Sequence, residues 1–298
     1  MIDAGFKPND HDPALFVHTS LMVACFFSML MTMIIICDDS QFIEFVKECL
    51  NAMFLMYDLG PLHYFLGLEV SSTPDGIYLS QEKYIQDLLS RAALTDHRTV
   101  DTPMVLGVQL RATDGEPLAD PTRYRHLVGS LVYLGITRPD ISHAVHILSQ
   151  FVSAPTQLHY THLLRVLRYL RGTSSRRLFF SRSSPLELQA YSDATWASNP
   201  SDCRSLCAHA EAELRAIAAV IAEISWLQWL LEDFGVMASP PTPLSSDSTG
   251  AISIARDSVK HELTKHIGVH ASYMRSQVHD QIVALQYVPS SFSLWTSS

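Results

Sequence analysis

The sequence predicts an α+β protein, and three observations carry that expectation. Stretches with strand character and stretches with helical apolar spacing alternate along the chain. The 298 residues are 47% hydrophobic, enough to bury a substantial core in two or three modest domains. Gly (12), Pro (15) and charge (17%) are ordinary, which excludes collagen-like, low-complexity and wholly disordered chains.

The elements follow in order. Leu21 to Cys37 is a run of 17 residues without a charge. Two readings of it compete. A transmembrane helix would sit at the short end of spanning length; a buried strand is favoured by its Val, Ile and Phe content. Asp38 and Asp39 follow at once and no Lys or Arg cluster flanks it. A signal peptide fits poorly, because acidic residues precede the run and no small-residue cleavage site is evident. Ser40 then opens a capped helix with Phe42, Ile43, Phe45, Val46 and Leu50 as its apolar positions. Asp58 to Pro61 is a turn, Tyr64 to Val70 a strand, Pro74-Asp-Gly76 a hairpin turn and Ile77 to Leu79 a second strand. Ser80 to Leu89 is another amphipathic helix. Residues 95–122 are polar and rich in turn formers, so they read as a linker. Helices are expected near 123–134, 139–152 and 158–171. A strand pair around 178–180 and 186–192 ends at Asp193. A long helix over 211–233 aligns Leu214, Ile217, Ile221, Ile224, Leu227 and Leu231 on one face. A strand ends near Asp247, a helix follows it, and Ile282 to Val288 is a last strand.

The net charge of −9 argues against uniform coating of nucleic acid, but the charge is unevenly spread. Residues 1–110 carry 5 basic and 14 acidic side chains, residues 111–185 carry 10 and 4, and residues 186–298 carry 6 and 12. Every basic residue of the middle block is Arg, which forks bidentately onto phosphate. Arg165, Arg168 and Arg171 recur at helical spacing, Leu163, Leu164, Leu167 and Leu170 form the apolar stripe of the same helix, and Arg176, Arg177 and Arg182 follow. A phosphate-gripping face and a merely solvated helix face are both compatible with this pattern.

Five cysteines form no ladder of spacings; Cys203 and Cys207 lack a second ligand pair for zinc, and reduced intracellular thiols are expected. Three acids have a different promise. Asp193 ends an alternating strand, Glu213 lies in the first turn of the long helix, and Asp247 ends another strand just before a helix. Each alone reads as an ordinary cap or turn residue. Together, carboxylates at strand ends and a helix start can converge at one sheet edge and hold two Mg²⁺ ions for phosphodiester cleavage.

Ser192-Asp-Ala-Thr-Trp-Ala197, Ala210-Glu-Ala-Glu-Leu-Arg-Ala216, Ser246-Asp-Ser-Thr-Gly-Ala251 and Thr264-Lys-His-Ile267 stand in this order. The set resembles the RNase H domain of copia-type retrotransposon polyproteins. Upstream, Asp58-Leu-Gly-Pro-Leu-His-Tyr-Phe-Leu-Gly-Leu-Glu69 and Tyr78-Leu-Ser-Gln-Glu-Lys-Tyr-Ile85 resemble the end of the reverse transcriptase palm and its thumb. Tyr124-Arg-His-Leu-Val-Gly-Ser-Leu-Val-Tyr-Leu134 and Thr137-Arg-Pro-Asp-Ile-Ser142 resemble the connection region that follows. The resemblance implies copying of RNA into DNA and degradation of the RNA strand of the hybrid.

The departures from the family bear on activity. The family's Tyr-Val-Asp-Asp turn falls on Met29-Leu-Met-Thr32, so Met31 and Thr32 replace both metal-binding aspartates. The fingers and the first palm aspartate would precede Met1. DNA synthesis by this chain alone is therefore not expected. Two family strands are missing where Arg204-Ser-Leu206 is followed almost directly by Ala210. Such a loss leaves a new sheet edge. The family's closing motif, with a fourth carboxylate, is expected after Tyr287-Val-Pro289 and is replaced by Ser-Ser-Phe-Ser-Leu-Trp-Thr-Ser-Ser298.

The expected architecture is therefore a remnant of reverse transcriptase palm and thumb (1–94), a linker and helical connection region (95–185) and a trimmed RNase H-like α/β domain (186–298). Asp193, Glu213 and Asp247 are the expected Mg²⁺ ligands, with Asp193 bridging both ions as the resemblance implies. Arg165, Arg168, Arg171, Arg176 and Arg177 are the candidates for gripping an RNA–DNA hybrid. Three alternatives stand beside this reading: a non-catalytic nucleic-acid-binding module, a pseudogene product that never folds stably, and a membrane-associated protein using residues 21–37. An intracellular location, cytoplasm or nucleus, is favoured over the membrane.

Overall fold

The computed structural model describes residues 6–18, 23–27, 33–37, 39–94, 96–192, 206–236, 241–256 and 268–289. It is a mixture of helices and antiparallel and parallel strands, as an α+β chain requires. The chain divides into two compact units, Leu59–Ser184 and a second made of Met1–Asp58 with Pro185–Ser298.

In the second of these, β1 (Phe6–Pro8), β2 (Leu15–His18), β3 (Val23–Phe27) and β4 (Met33–Ile36) form an antiparallel meander in sequence order. The uncharged run is thus no spanning helix. Its described residues are two strands, with Cys25 opposite Ile35 and Phe27 opposite Met33. β-branched and aromatic side chains suit a pleated sheet, and they prevail here over the Met-rich stretch between them. This corrects the reading of residues 21–37 as a helical membrane segment. α1 (Ser40–Met53) is capped by Asp39, whose carboxylate accepts the Gln41 and Phe42 amides at 2.8 and 3.4 Å. Its Val46 and Leu50 pack with Phe6 into a small core.

The same unit contains a parallel sheet. β9 (Ala190–Ser192), α6 (Leu206–Asp233) and β10 (Thr242–Ser246) form a β–α–β crossover, and α7 (Thr249–Arg256) with α8 (Gly268–His279) leads to β11 (Val283–Tyr287). The strand order is β11-β10-β9. Leu214, Ile217, Ile221 and Ile224 of α6 are buried against Leu244, Val283 and Leu285. Beyond Ile224 the 3.6-residue period turns the stripe onto Gln228 rather than Leu227. The Gln228 amide, 7% exposed, donates to Thr242 Oγ1 at 2.9 Å. By length and composition α6 is the one helix among the described residues able to cross a membrane.

The unit Leu59–Ser184 pairs β5 (Tyr64–Phe65), β6 (Leu68–Thr73), β7 (Gly76–Ser80) and β8 (Leu178–Ser181) as an antiparallel sheet in that order. Leu66 (φ 47°) and Gly67 (φ 78°) form the two-residue turn between β5 and β6. The expected strand pair around 178–180 and 186–192 is not a pair: β8 joins β7, whereas β9 joins β10 in the other unit. α2 (Glu82–Ala92), α3 (Pro121–Leu134), a 3₁₀ turn (Pro139–Ile141), α4 (Ser142–Ser149) and α5 (Gln157–Gly172) enclose one core running from Ile85 to Leu170. Residues on both sides of 94/95 contribute to that core. The segment read as a linker is irregular but packed, with Leu110 buried and Met104, Val108 and Leu118 against the helices.

Two polar devices hold this unit. Arg138, whose side chain is 3% exposed, grips Asp140 through Nε (2.9 Å) and Nη2 (2.7 Å) and donates to the Thr173 carbonyl and hydroxyl at 2.9 and 2.7 Å. Tyr169 donates to the same Asp140 carboxylate at 2.7 Å. Burial opposes the charge on Asp140, yet the Arg138 guanidinium and the Tyr169 hydroxyl hold its pKa below the ordinary value. The second device is fully buried His159. Its Nδ1 accepts the Thr156 amide at 3.1 Å and its Nε2–H donates to the Arg111 carbonyl at 3.1 Å, so the neutral ring is the one that fits.

Arg138→Ala is expected to cost about 3–5 kcal/mol, because it strands a partly buried carboxylate; urea denaturation measures it, and a cost below about 1 kcal/mol would refute the role assigned to the pair. A second expectation concerns pH. Burial lowers the His159 pKa in the folded state, with the Arg111 carbonyl opposing, so the unfolded chain binds the proton more readily. The His159 contribution is complete above the unfolded value of about 6.5 and is lost as pH falls towards the folded value. Urea midpoints at pH 7.5 and 5 should differ less in His159→Gln than in the parent.

Candidate carboxylate site and arginine face

The parallel register sets the candidate site. Ser192 of β9 and Ser246 of β10 are Cα partners at the C-terminal ends of their strands, where crevices of open α/β sheets bind ligands. Asp193 and Asp247 follow these serines in the sequence. Asp193 lies outside the described residues. Asp247 is half-buried between β10 and α7, in a turn fixed by Ser246 Oγ accepting the Ser248 amide and Ser248 Oγ accepting the Ala251 amide, both at 3.2 Å. Glu213 sits on α6 beside fully buried Leu214 and is itself 2% exposed. Ser192 Oγ is buried and has no hydrogen-bond partner among the described residues.

Among the described residues no three His, Cys, Asp or Glu side chains gather to hold a metal ion, and the expected trio has only Glu213 and Asp247 within them. Their donor chemistry, hard carboxylate oxygens, matches Mg²⁺. Met29–Thr32, where the resemblance puts the polymerase turn, also lies outside the described residues.

The arginines of α5 have partners of their own. Arg168 donates to Asp96 Oδ2 through Nε (3.1 Å) and Nη2 (2.8 Å). Arg171 Nη1 donates to the Asp96 carbonyl, and Arg165 Nη2 to Thr102 Oγ1 at 2.8 Å. The side chains of Arg168 and Arg171 are 24% and 21% exposed. The hydrogen bond from Arg168, over the opposing effect of burial, lowers the Asp96 pKa. Arg176 bonds the Tyr169 hydroxyl at 2.8 Å, and Arg177 lies 4.0 Å from Glu82; both keep more exposed side chains. The arginine helix therefore straps the 96–102 segment. The sequence pattern of α5 named the arginines but not Asp96, which lies some seventy residues upstream in a polar stretch without periodicity.

Removing Asp96 should release the strap. Asp96→Ala is expected to speed trypsin cleavage after Arg98 several-fold, with little change in the global urea midpoint. Unchanged cleavage would show that Arg168 and Arg171 do not hold the segment.

Residues 1–106 match the family model described as reverse transcriptase (RNA-dependent DNA polymerase). The chain is 36% identical over 274 residues to the retrovirus-related Pol polyprotein from transposon RE1 of Arabidopsis thaliana, covering 84% of this chain and 19% of that polyprotein. It is 32% identical over 282 residues to the Pol polyprotein from transposon TNT 1-94 of Nicotiana tabacum, covering 84% and 21%. An uncharacterized mitochondrial protein of Arabidopsis thaliana is 36% identical over 200 residues, covering 59% of this chain and 83% of that protein. No solved structure matches. The chain spans about a fifth of the transposon polyproteins it matches. It belongs to the copia-type retrotransposon Pol polyproteins, of which it carries a reverse transcriptase-like part.

Proposed function

We propose that this chain is a retrotransposon-derived reverse transcriptase–RNase H segment that has lost DNA synthesis and keeps an RNase H-like module for RNA–DNA hybrids. Residues 1–94 correspond in this reading to palm end and thumb, 95–185 to the connection region and 186–298 to the RNase H-like part. The observation that carries it is the parallel register of β9 and β10, with Ser192 opposite Ser246 directly before the two candidate aspartates. α6, with Glu213 on its buried side, packs against β9.

Asp193, Glu213 and Asp247 would hold Mg²⁺, which when bound stabilises the attacking and leaving oxygens of phosphodiester cleavage. The chain's own contribution is positional. The strand end of β10, before α7, carries Asp247; Glu213, expected in the first turn of the long helix, lies two turns inside α6, because that helix begins at Leu206, and burial beside Leu214 limits its freedom. In the palm-like part, Met31 and Thr32 offer a thioether and a hydroxyl where Mg²⁺ chemistry needs carboxylates. A second reading, hybrid binding without cleavage, is favoured by the exposed side chains of Arg176 and Arg177.

Purified protein should cut the RNA strand of an RNA–DNA hybrid in Mg²⁺ and not in EDTA, and both Asp193→Asn and Asp247→Asn should abolish the cut. It should extend no primer on an RNA template. Cleavage that survives Asp247→Asn, or primer extension, would overturn this function; binding without cleavage would leave the second reading.

A further inference from the structure

α6 has two faces, and the core of its sheet uses one. Leu214, Ile217, Ile221 and Ile224 are buried against that sheet. Trp226, Trp229 and Asp233 follow one another at helical spacing along the last turns and share a second face. None of the three belongs to the sheet's core among the described residues, and Trp229 stays 49% exposed. Asp233 is also poorly placed for a residue of its own helix. It sits in the last turn, where the carbonyl end of the helix dipole disfavours a carboxylate, and α6 supplies no basic residue there. The helix closes just beyond it through Gly235 (φ 70°), with the Gly235 amide donating to the Glu232 carbonyl and the Val236 amide to the Leu231 carbonyl, both at 2.8 Å.

The second face meets the connection between β1 and β2, from the other end of the sequence. Asn9 Nδ2 donates to Asp233 Oδ2 at 2.7 Å, and His11 Nδ1 lies 3.0 Å from the same oxygen. The His11 ring stacks on Trp229 with centroids 5.0 Å apart and planes 23° from parallel. Trp226 Nε1 donates to the His11 carbonyl at 3.3 Å. The connection holds its own shape for this contact. Asn9 Oδ1 accepts the His11 and Asp12 amides at 2.7 and 2.9 Å, Asp12 Oδ1 accepts the Ala14 amide at 2.9 Å, and the Asn9 amide donates to the Leu15 carbonyl at 2.8 Å. A segment ordered in advance gives up little entropy on docking. The contacts themselves are shallow: the side chains of His11 and Asp233 are 31% and 35% exposed. Such contacts are weak one by one and can open without unfolding a core.

We propose that the β1–β2 connection is a clasp that closes on the end of α6 and opens as one piece, coupling the N-terminal meander to the parallel sheet while both stay folded. Closed, it gives Asp233 the partners its own turn lacks and covers part of the Trp226–Trp229 face. Open, it releases both. The clasp joins two stretches that the unit Leu59–Ser184 separates in sequence, and it stands whether or not the candidate carboxylates hold Mg²⁺.

The test is hydrogen–deuterium exchange of the full chain, read by mass spectrometry on peptides covering 6–18, 226–236 and, as the reference for the core, 214–224. His11→Ala changes only the connection, yet it should speed exchange across 226–236 about 2- to 10-fold, the scale of the weak contacts it removes. Trp229→Ala changes only the helix and should speed exchange across 6–18 by a similar factor, since coupling between two sites is reciprocal. His11→Phe, which keeps a ring over Trp229, should retain part of the protection. Asp10→Ala, in the same connection but outside the bonds named, should leave 226–236 as in the parent. Exchange across 214–224 should match the parent in every variant. Changes confined to the substituted side, or an equal rise across 214–224, would overturn the proposal, as would an effect of Asp10→Ala as large as that of His11→Ala.

Discussion

A single buried guanidinium organises the unit Leu59–Ser184. Arg138 sits in the turn between α3 and α4, where its fork satisfies Asp140 on one side and the end of α5 at Thr173 on the other. Such a charge is tolerable inside a protein only when its donors are matched, and here Nε, Nη1 and Nη2 each have an acceptor. The network continues through the Tyr169 hydroxyl to Arg176, two residues before β8. Thus the pair that closes the helical core also fixes the exit of α5, from which the chain returns to lay β8 beside β7. Glycine at position 76 belongs to the same closure, because a Cβ there would run into the Phe180 carbonyl.

Charge in this unit is consumed before it can act at a distance. The +6 balance of residues 111–185 looks like a phosphate-binding surface when counted along the chain. In space, Arg138 is spent on Asp140, and Arg168 and Arg171 on Asp96. Arg123 reaches the Ala92 carbonyl at 2.6 Å and Arg125 the Val152 carbonyl at 2.8 Å. Arginine suits this work because its five donors can tie irregular chain to helix ends. The guanidinium groups of Arg176 and Arg177, next to β8, stay the more exposed, and even there Arg176 bonds the Tyr169 hydroxyl.

The legible parts of the sequence were those with local signals. The helix expected near 123–134 is α3, starting two residues earlier at Pro121, the Pro74-Asp-Gly76 turn joins β6 to β7, and the leucine stripe of α5 is buried as its spacing requires. Longer-range features were less so. Nothing near residues 178–192 states that β8 and β9 belong to different sheets, since strand partners are chosen over distance. α8 escaped notice because Gly268–His279 buries only Ala271 and Met274, too few positions for a stripe. The run over 21–37 left strand and membrane helix both open, because uncharged residues serve a sheet and a bilayer equally and only pairing distinguishes them. The serines that precede Asp193 and Asp247 were readable as strand ends; that they stand opposite one another was not.

The start of α6 departs from the position its apolar spacing predicts. Spacing predicted a helix from about 211, yet α6 begins at Leu206 and runs 28 residues. The family resemblance places two strands between Leu206 and Ala210; this chain has Cys207-Ala-His209 there, and the helix continues through them. Extending a helix costs far less than nucleating one, and alanines at 208, 210 and 212 favour propagation. The carbonyls of this first turn thereby accept helical bonds without strands to pair with. Among the described residues β9 has a neighbour on one side only, β10. The edge where Ser192 and Ser246 stand opposite one another is built, among the described residues, by β9 and β10 with α6 packed against β9, and the early start of α6 leaves that pairing intact.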